Sequence, residues 1–183
     1  MKKIETPLDG AFIIEPQVFG DVRGWFYESY SKQKMHDIGI DVEFVQDNRS
    51  FSAQQGTLRG LHCQTSPMAQ TKLLTCLRGR IMDVAVDIRR GSPTYMQWTA
   101  VELSGENKKM FFIPKGFLHG FVPLTPDVEV SYKVDEYYAP ANDRSVKFDD
   151  PDIGVDWGVK VPILSDKDMK APLLKDSDIE FIY

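Results

Sequence analysis

Residues Thr71–Pro93 read TKLLTCLRGRIMDVAVDIRRGSP. They hold two strand-like runs joined by a turn at Arg78-Gly79 and closed by another at Gly91-Ser92-Pro93. Within Arg80–Ile88, strict alternation puts Met82, Val84, Val86 and Ile88 on one face and Asp83 and Asp87 on the other. The rhythm continues through Tyr95–Leu103, Lys109–Ile113, Gly116–Pro123 and Val128–Val134, with a turn at Ser104–Asn107 and a stop at Pro114. Upstream, GAFIIEP (Gly10–Pro16) and WFYESY (Trp25–Tyr30) read as strands around the glycine-bounded turn FGDVRG (Phe19–Gly24). Short strands with turn signals roughly every eight to twelve residues build a sandwich or barrel, not βαβ units. The expectation is one all-β domain over residues 1–183 with short peripheral helices. Ser31 caps one helix that stops at Gly39, and Leu164–Asp168 (LSDKD) opens another. Phe44–Asn48 leads into a polar loop, followed by the run GTLRGLHCQ at Gly56–Gln64.

A chain of 183 residues, 42% hydrophobic and 11% aromatic, can bury a proper core and is not a disordered one. The formal charge of −5 argues against a nucleic-acid footprint or a polybasic membrane patch, yet leaves room for a local cationic pocket. Cys63 and Cys76 lie in strands without CxxC or metal-type spacing, so reduced thiols are expected. Met1 is not followed by an apolar leader, and no stretch approaches a membrane-spanning length. Those features point to a cytoplasmic protein with no nucleic-acid or membrane partner.

Strand parity singles out a polar set among apolar neighbours. Tyr132 shares a face with Val128, Val130 and Val134; Lys72 with Leu74 and Cys76; His119 with Phe117 and Phe121. In GTLRGLHCQ, Leu58, Gly60, His62 and Gln64 share a face, and Arg59 falls on the other unless Gly60 marks a bulge or kink. Taken singly, each has an ordinary role: a core tyrosine with its hydroxyl bonded, a lysine that snorkels out, a satisfied structural histidine. Taken together, they suit proton transfer. A neutral histidine serves as base near pH 7 and a tyrosine can return a proton from another side. A lysine or arginine beside a carbonyl oxygen stabilises an enolate. Some carboxylate must orient the imidazole, and residue order does not choose it among 27 acidic residues. A metal fits poorly, because glutamine at 64 replaces the second imidazole of an HxH pair. Cys63 has the parity opposite to His62 and no neighbour that would activate it as a nucleophile.

The ordered run FGDVRGWFYESY, FVQDNRS, GTLRGLHCQ, GRIMDVAVDIRRGSPTY, LSGENKKMFFIPKGFLHGF, YKVDEYYAP, FDDPDIGVDW and LSDKD resembles the dTDP-4-dehydrorhamnose 3,5-epimerases of the cupin superfamily. The resemblance covers roughly Phe19 to Pro172 and implies a cupin-type jelly-roll barrel, a homodimer, and neither cofactor nor metal. The implied substrate is dTDP-4-keto-6-deoxyglucose, inverted at C3 and C5 on the route to dTDP-L-rhamnose. Carried over by position, His62 matches the base, Asp168 its carboxylate partner, Tyr132 the acid on the opposite face and Lys72 the group near the C4 oxygen. Arg59 and His119 match contacts at the reacting end. Arg23, Glu28, Gln46, Asp47 and Asn48 match nucleotide and diphosphate contacts, with Asp143 and Lys167 as further candidates and Tyr138 as a ring on thymine. A diphosphate calls for fixed guanidinium donors, a local reason for Arg23 and Arg59.

Three features depart from the family pattern: Cys63 where an aromatic follows RGLH, a loop RSFSAQQ longer by one residue, and GVDWGVKVP in place of a Trp-Pro ending. The alternatives are an epimerase acting at C3 or C5 alone, one acting on another dTDP-4-keto-deoxysugar, or a non-catalytic sugar-nucleotide binder.

Overall fold

In the computed structural model, which describes residues 1–183, the strands fall into two principal antiparallel sheets. One runs β1 (Lys2–Glu5), β2 (Phe12–Glu15), β11 (Met110–Ile113), β7 (Lys72–Arg78), β13 (Val128–Val134) and β5 (Gln46–Ser52). The other runs β10 (Trp98–Ser104), β8 (Arg80–Asp87), β12 (Phe117–Pro123), β6 (Arg59–Gln64) and β14 (Asp143–Ser145). Their facing surfaces interlock in one buried cluster: Leu74, Cys76, Phe111, Ile113, Val128 and Val130 meet Ile81, Ala85, Val101, Leu103, Phe117 and Phe121. The architecture is all-β, as expected.

Both outer faces are covered as well. On the five-stranded sheet, Leu61, Cys63, Val84, Val86, Leu118 and Val122 pack under Val146, Ile153, Trp157 and Ile179 from the C-terminal segment. On the six-stranded sheet, Phe12, Ile14, Leu73, Met110 and Phe112 pack against Met35 and Ile40. Sheets buried on both sides produce unbroken apolar runs such as Leu73-Leu74 and Phe111-Phe112. The aliphatic face of β8 is therefore the outer one, and Asp83 and Asp87 point inward with Ile81 and Ala85.

Two short helices flank the sheets. In α1 (Lys32–Asp37), Ser31 Oγ accepts from the Lys34 N–H; α2 (Asp166–Met169) is capped by Ser165. One expectation changes: Arg49–Ser52, read as loop, continue β5 and pair with β13 along its whole length. An edge strand that turns Gln46, Asn48 and Ser50 inward carries no apolar stripe to announce it. The hairpin β3 (Val18–Asp21) and β4 (Gly24–Tyr27) pairs only with itself, leaving Phe19, Trp25 and Phe26 exposed. Strands β9 (Arg89–Arg90) and β15 (Phe181–Ile182) pair in parallel as a separate two-stranded sheet, which ties the C-terminus to the segment just after β8. No helix is long and apolar enough to cross a membrane.

Candidate active site

Apolar packing between the sheets gives way to a cavity of about 440 Å³ lined by Arg59, His62, Lys72, His119, Tyr132 and Asp168, among others. Its two walls come from different sheets. His62 on β6 and His119 on β12 are direct cross-strand partners, and Lys72 and Tyr132 stand on the neighbouring strands β7 and β13 of the opposing sheet. Parity alone aims Lys72 and Tyr132 inward and groups His119 with Phe117 and Phe121, and the structure places all three in the cavity wall.

Arg59 joins them because β6 is irregular. His119 stands opposite His62 and Phe121 opposite Arg59, so three steps along β6 match two along β12. Gly60 takes a φ of 126° there, and a Cβ on it would lie 2.5 Å from Gly120 Cα. Beyond the irregularity Leu58, Leu61 and Cys63 face the outer cluster while Arg59 and His62 share the cavity. Strict alternation would have grouped Leu58 with His62; the extra residue separates them. Arg59 is held by Nε to Ser52 Oγ at 3.2 Å and Nη2 to the Phe51 carbonyl at 3.0 Å.

His62 Nε2 lies 2.5 Å from Asp168 Oδ1. Asp168 is buried, and Ser165 Oγ both donates to its Oδ2 at 2.9 Å and accepts its backbone N–H at 3.1 Å. Burial alone would raise the Asp168 carboxyl, but hydrogen bonds from His62 and Ser165, with the charges of His62 and Lys167, hold it below its ordinary 3.8. An ionised Asp168 fixes the ring proton on Nε2 and leaves His62 Nδ1 free at the cavity wall. Across the cavity, burial raises the Tyr132 hydroxyl, which keeps it protonated at neutral pH. Burial also lowers the Lys72 ammonium, opposed by Cys63, Asp143 and Asp83.

A second cavity of about 230 Å³ adjoins the first and shares His62, Lys72, Tyr132 and Lys167 with it. Gln46, Asn48, Tyr138 and Asp143 line it. Gln46 Nε2 donates to Asn48 Oδ1 at 2.8 Å, and the Tyr138 N–H to Gln46 Oε1 at 3.2 Å. Lys167 Nζ meets Asp143 Oδ2 at 2.5 Å, with the Tyr138 hydroxyl 3.3 Å from the same oxygen. Gln64 is occupied elsewhere: its amide binds the carbonyls of Met68 and Tyr137 and the Ala139 N–H. No three His, Cys, Asp or Glu side chains converge as a metal site requires.

Three predicted contacts lie outside both cavities. Asp47 faces outward on β5 and pairs with Lys133 at 2.9 Å. Arg23 and Glu28 belong to the self-paired hairpin region, where Arg23 pairs with Asp21 and Glu28 with Lys34. The hairpin has no partner strand that would fold it back over its own chain's cavity. Conversely, residue order did not point to Asp83, whose Oδ1 lies 2.5 Å from His119 Nε2, or to Ser165. The Ser-x-x-Asp spacing of Ser165 and Asp168 is a capping signature that could have found the latter. Cys63 is packed in the outer cluster, and burial pushes its thiol up to about 12.

The chain matches the dTDP-4-dehydrorhamnose 3,5-epimerase family over residues 5–176. It is 45% identical to the dTDP-4-dehydrorhamnose 3,5-epimerase of Shigella flexneri over 179 residues, covering 97% of this chain and 98% of that one. The crystal structure of the Bacillus anthracis epimerase with TDP and PPi bound superposes with a TM-score of 0.93 at 50% identity, covering 94% of this chain and 99% of that one. The Legionella pneumophila enzyme in complex with dTDP-4-keto-L-rhamnose gives 0.92 at 48% identity, covering 97% and 94%. A matched profile across nearly all the chain, relatives close to half identical and a closely superposing fold place this protein in the dTDP-4-dehydrorhamnose 3,5-epimerase family.

Proposed function

We propose that this chain converts dTDP-4-dehydro-6-deoxy-D-glucose to dTDP-4-dehydro-L-rhamnose by inverting the two carbons beside the ketone. One observation carries the reading: an Asp168-oriented His62 and a protonated Tyr132 face one cavity from opposite sheets. Inversion needs that geometry, because the proton must leave one face of the sugar and return to the other.

In this reading His62 Nδ1 takes the C–H proton next to the ketone, and Asp168 stabilises the imidazolium that forms. The electron pair moves into an enolate whose oxygen meets the Lys72 ammonium. Tyr132 gives its proton to the carbanion carbon from the opposite wall, with the Arg59 guanidinium favouring the phenolate left behind. Exchange with solvent returns a proton to Tyr132 and removes one from His62. The second cavity holds the nucleotide, with Lys167 as a cationic donor and Tyr138 as a flat apolar face, while Arg59 reaches the diphosphate from the first cavity.

The protein acts as a homodimer in this account. The hairpin displays Phe19, Trp25 and Phe26 to solvent and carries Arg23 away from its own cavity. A second copy covers those rings and receives Arg23 and Glu28 beside its nucleotide.

Incubating the protein with the 4-keto sugar nucleotide in deuterated buffer and following the sugar protons by NMR tests the reading. Deuterium at both C3 and C5 with net inversion supports it. Exchange at one carbon reassigns the chain as a mono-epimerase, and none at either carbon removes the catalytic reading.

A further inference from the structure

We propose that Asp83 is a positioning residue for this reaction: by accepting the Nε2 proton of His119, it fixes that ring with Nδ1 facing the cavity as an acceptor for a hydroxyl group of the sugar. The proposal rests on the function given above.

Asp83 is fully buried on the inner face of β8, flanked along that face by Ile81 and Ala85 and paired across to Phe121. Its Oδ1 is 2.5 Å from His119 Nε2, and its Oδ2 has no hydrogen-bond partner. A buried carboxylate with an unpartnered oxygen weakens a fold, so packing gives no account of it. Its one directed bond goes to a ring in the cavity wall. The arrangement repeats that of His62 and Asp168 on the adjacent strand, again through Nε2 at 2.5 Å.

Charge state sets what His119 offers. Burial pulls its imidazole below the ordinary 6.5, and Lys72 and His62 push the same way, outweighing Asp83. The ring is therefore neutral at pH 7, with its proton on Nε2 and a lone pair at Nδ1. Nδ1 makes no bond to the protein, and it would accept from a hydroxyl but not from a carbonyl or phosphate oxygen. Lys72 and Arg59 line the same cavity with donors alone. The wall thus presents donors for a ketone oxygen and one acceptor for a hydroxyl beside it.

With only three histidines, ring-nitrogen NMR on protein labelled with [¹⁵N]histidine can read each tautomer, using His119→Asn for assignment. Ligand-free protein at pH 7 should show His119 protonated on Nε2 and bare on Nδ1. An imidazolium or the reverse tautomer there overturns the proposal. Asp83→Asn keeps the side-chain shape but lets an amide donate to Nε2, so the tautomer should reverse. Turnover should then fall on the order of 100-fold or more, as when an orienting carboxylate becomes an amide, with dTDP affinity unchanged. A reversed tautomer with near wild-type turnover, or lost turnover with the tautomer unchanged, overturns it too. Wild-type protein that exchanges no sugar proton would defeat the proposed reaction instead, while the tautomer measurement still judges the Asp83–His119 geometry.

Discussion

Asp168 reaches His62 from 106 residues away along the chain, on a helix of four residues, and Ser165 holds it there. One orienting hydrogen bond is worth about 1 kcal/mol, so Ser165→Ala should lower turnover roughly 5- to 10-fold with substrate affinity little changed. Ser165→Thr should restore most of it; steady-state kinetics on both variants checks this. His62→Ala should abolish deuterium uptake at both carbons while dTDP binding, read by calorimetry, persists. Tyr132→Phe should separate the two half-reactions: proton removal continues, seen as uptake from deuterated solvent, but inversion slows or stops because the opposite wall has no donor. The inward aim of Lys72 and Tyr132 was legible from parity, since alternation is a property of the local chain. Asp83 was not. Parity grouped it with Asp87, yet which face of β8 turns inward depends on what covers the other one.

At the scale of elements, the irregularity in β6 brings Arg59 and His62 to one cavity. Gly60→Ala must place a methyl 2.5 Å from Gly120 Cα at a φ of 126°. Overpacking and left-handed strain together should destabilise the fold by about 2–4 kcal/mol, measurable by urea unfolding, and should lower activity further by displacing Arg59. The glycine itself was readable as a possible bulge. Whether the strand bulges was not, because the register of β6 against β12 exists only once both strands are docked. Strand β5 shows the converse: its polar edge carries no period, and its pairing with β13 alone defines it.

At the scale of the whole molecule, the exposed hairpin and the buried ionisable groups each predict a bulk property. Trp25→Ser combined with Phe26→Ser should shift sedimentation toward a monomer and weaken nucleotide binding, because Arg23 and Glu28 would no longer reach a second copy. A dimer that survives both changes would remove the hairpin from the interface. Stability should fall in two stages on acidification. His119 binds its proton less readily when folded, so its contribution is complete above 6.5 and is lost as pH drops below that value. Asp87 and Asp168 follow the same sign lower down. Burial would raise both, but bonds from Arg89, Ser92 and Thr94 to Asp87 and from His62 and Ser165 to Asp168 outweigh it. Their stabilisation is complete above 3.8 and lost below. Thermal unfolding from pH 8 to 3 should show both stages, and His119→Gln should flatten the first.

The amino-acid order by itself determined the all-β class, the turns, the Ser31 helix cap and the inward aim of Lys72 and Tyr132. Those follow from a two-residue side-chain period and from local turn and cap chemistry, which need no distant partner. Tertiary structure alone decided that both sheet faces are buried, that Asp83 lies beneath His119, that Arg59 turns to the side of His62, and that Arg23 leaves its own cavity. Each of these depends on register and contact between segments far apart in the chain, and those form only when the sheets close on one another.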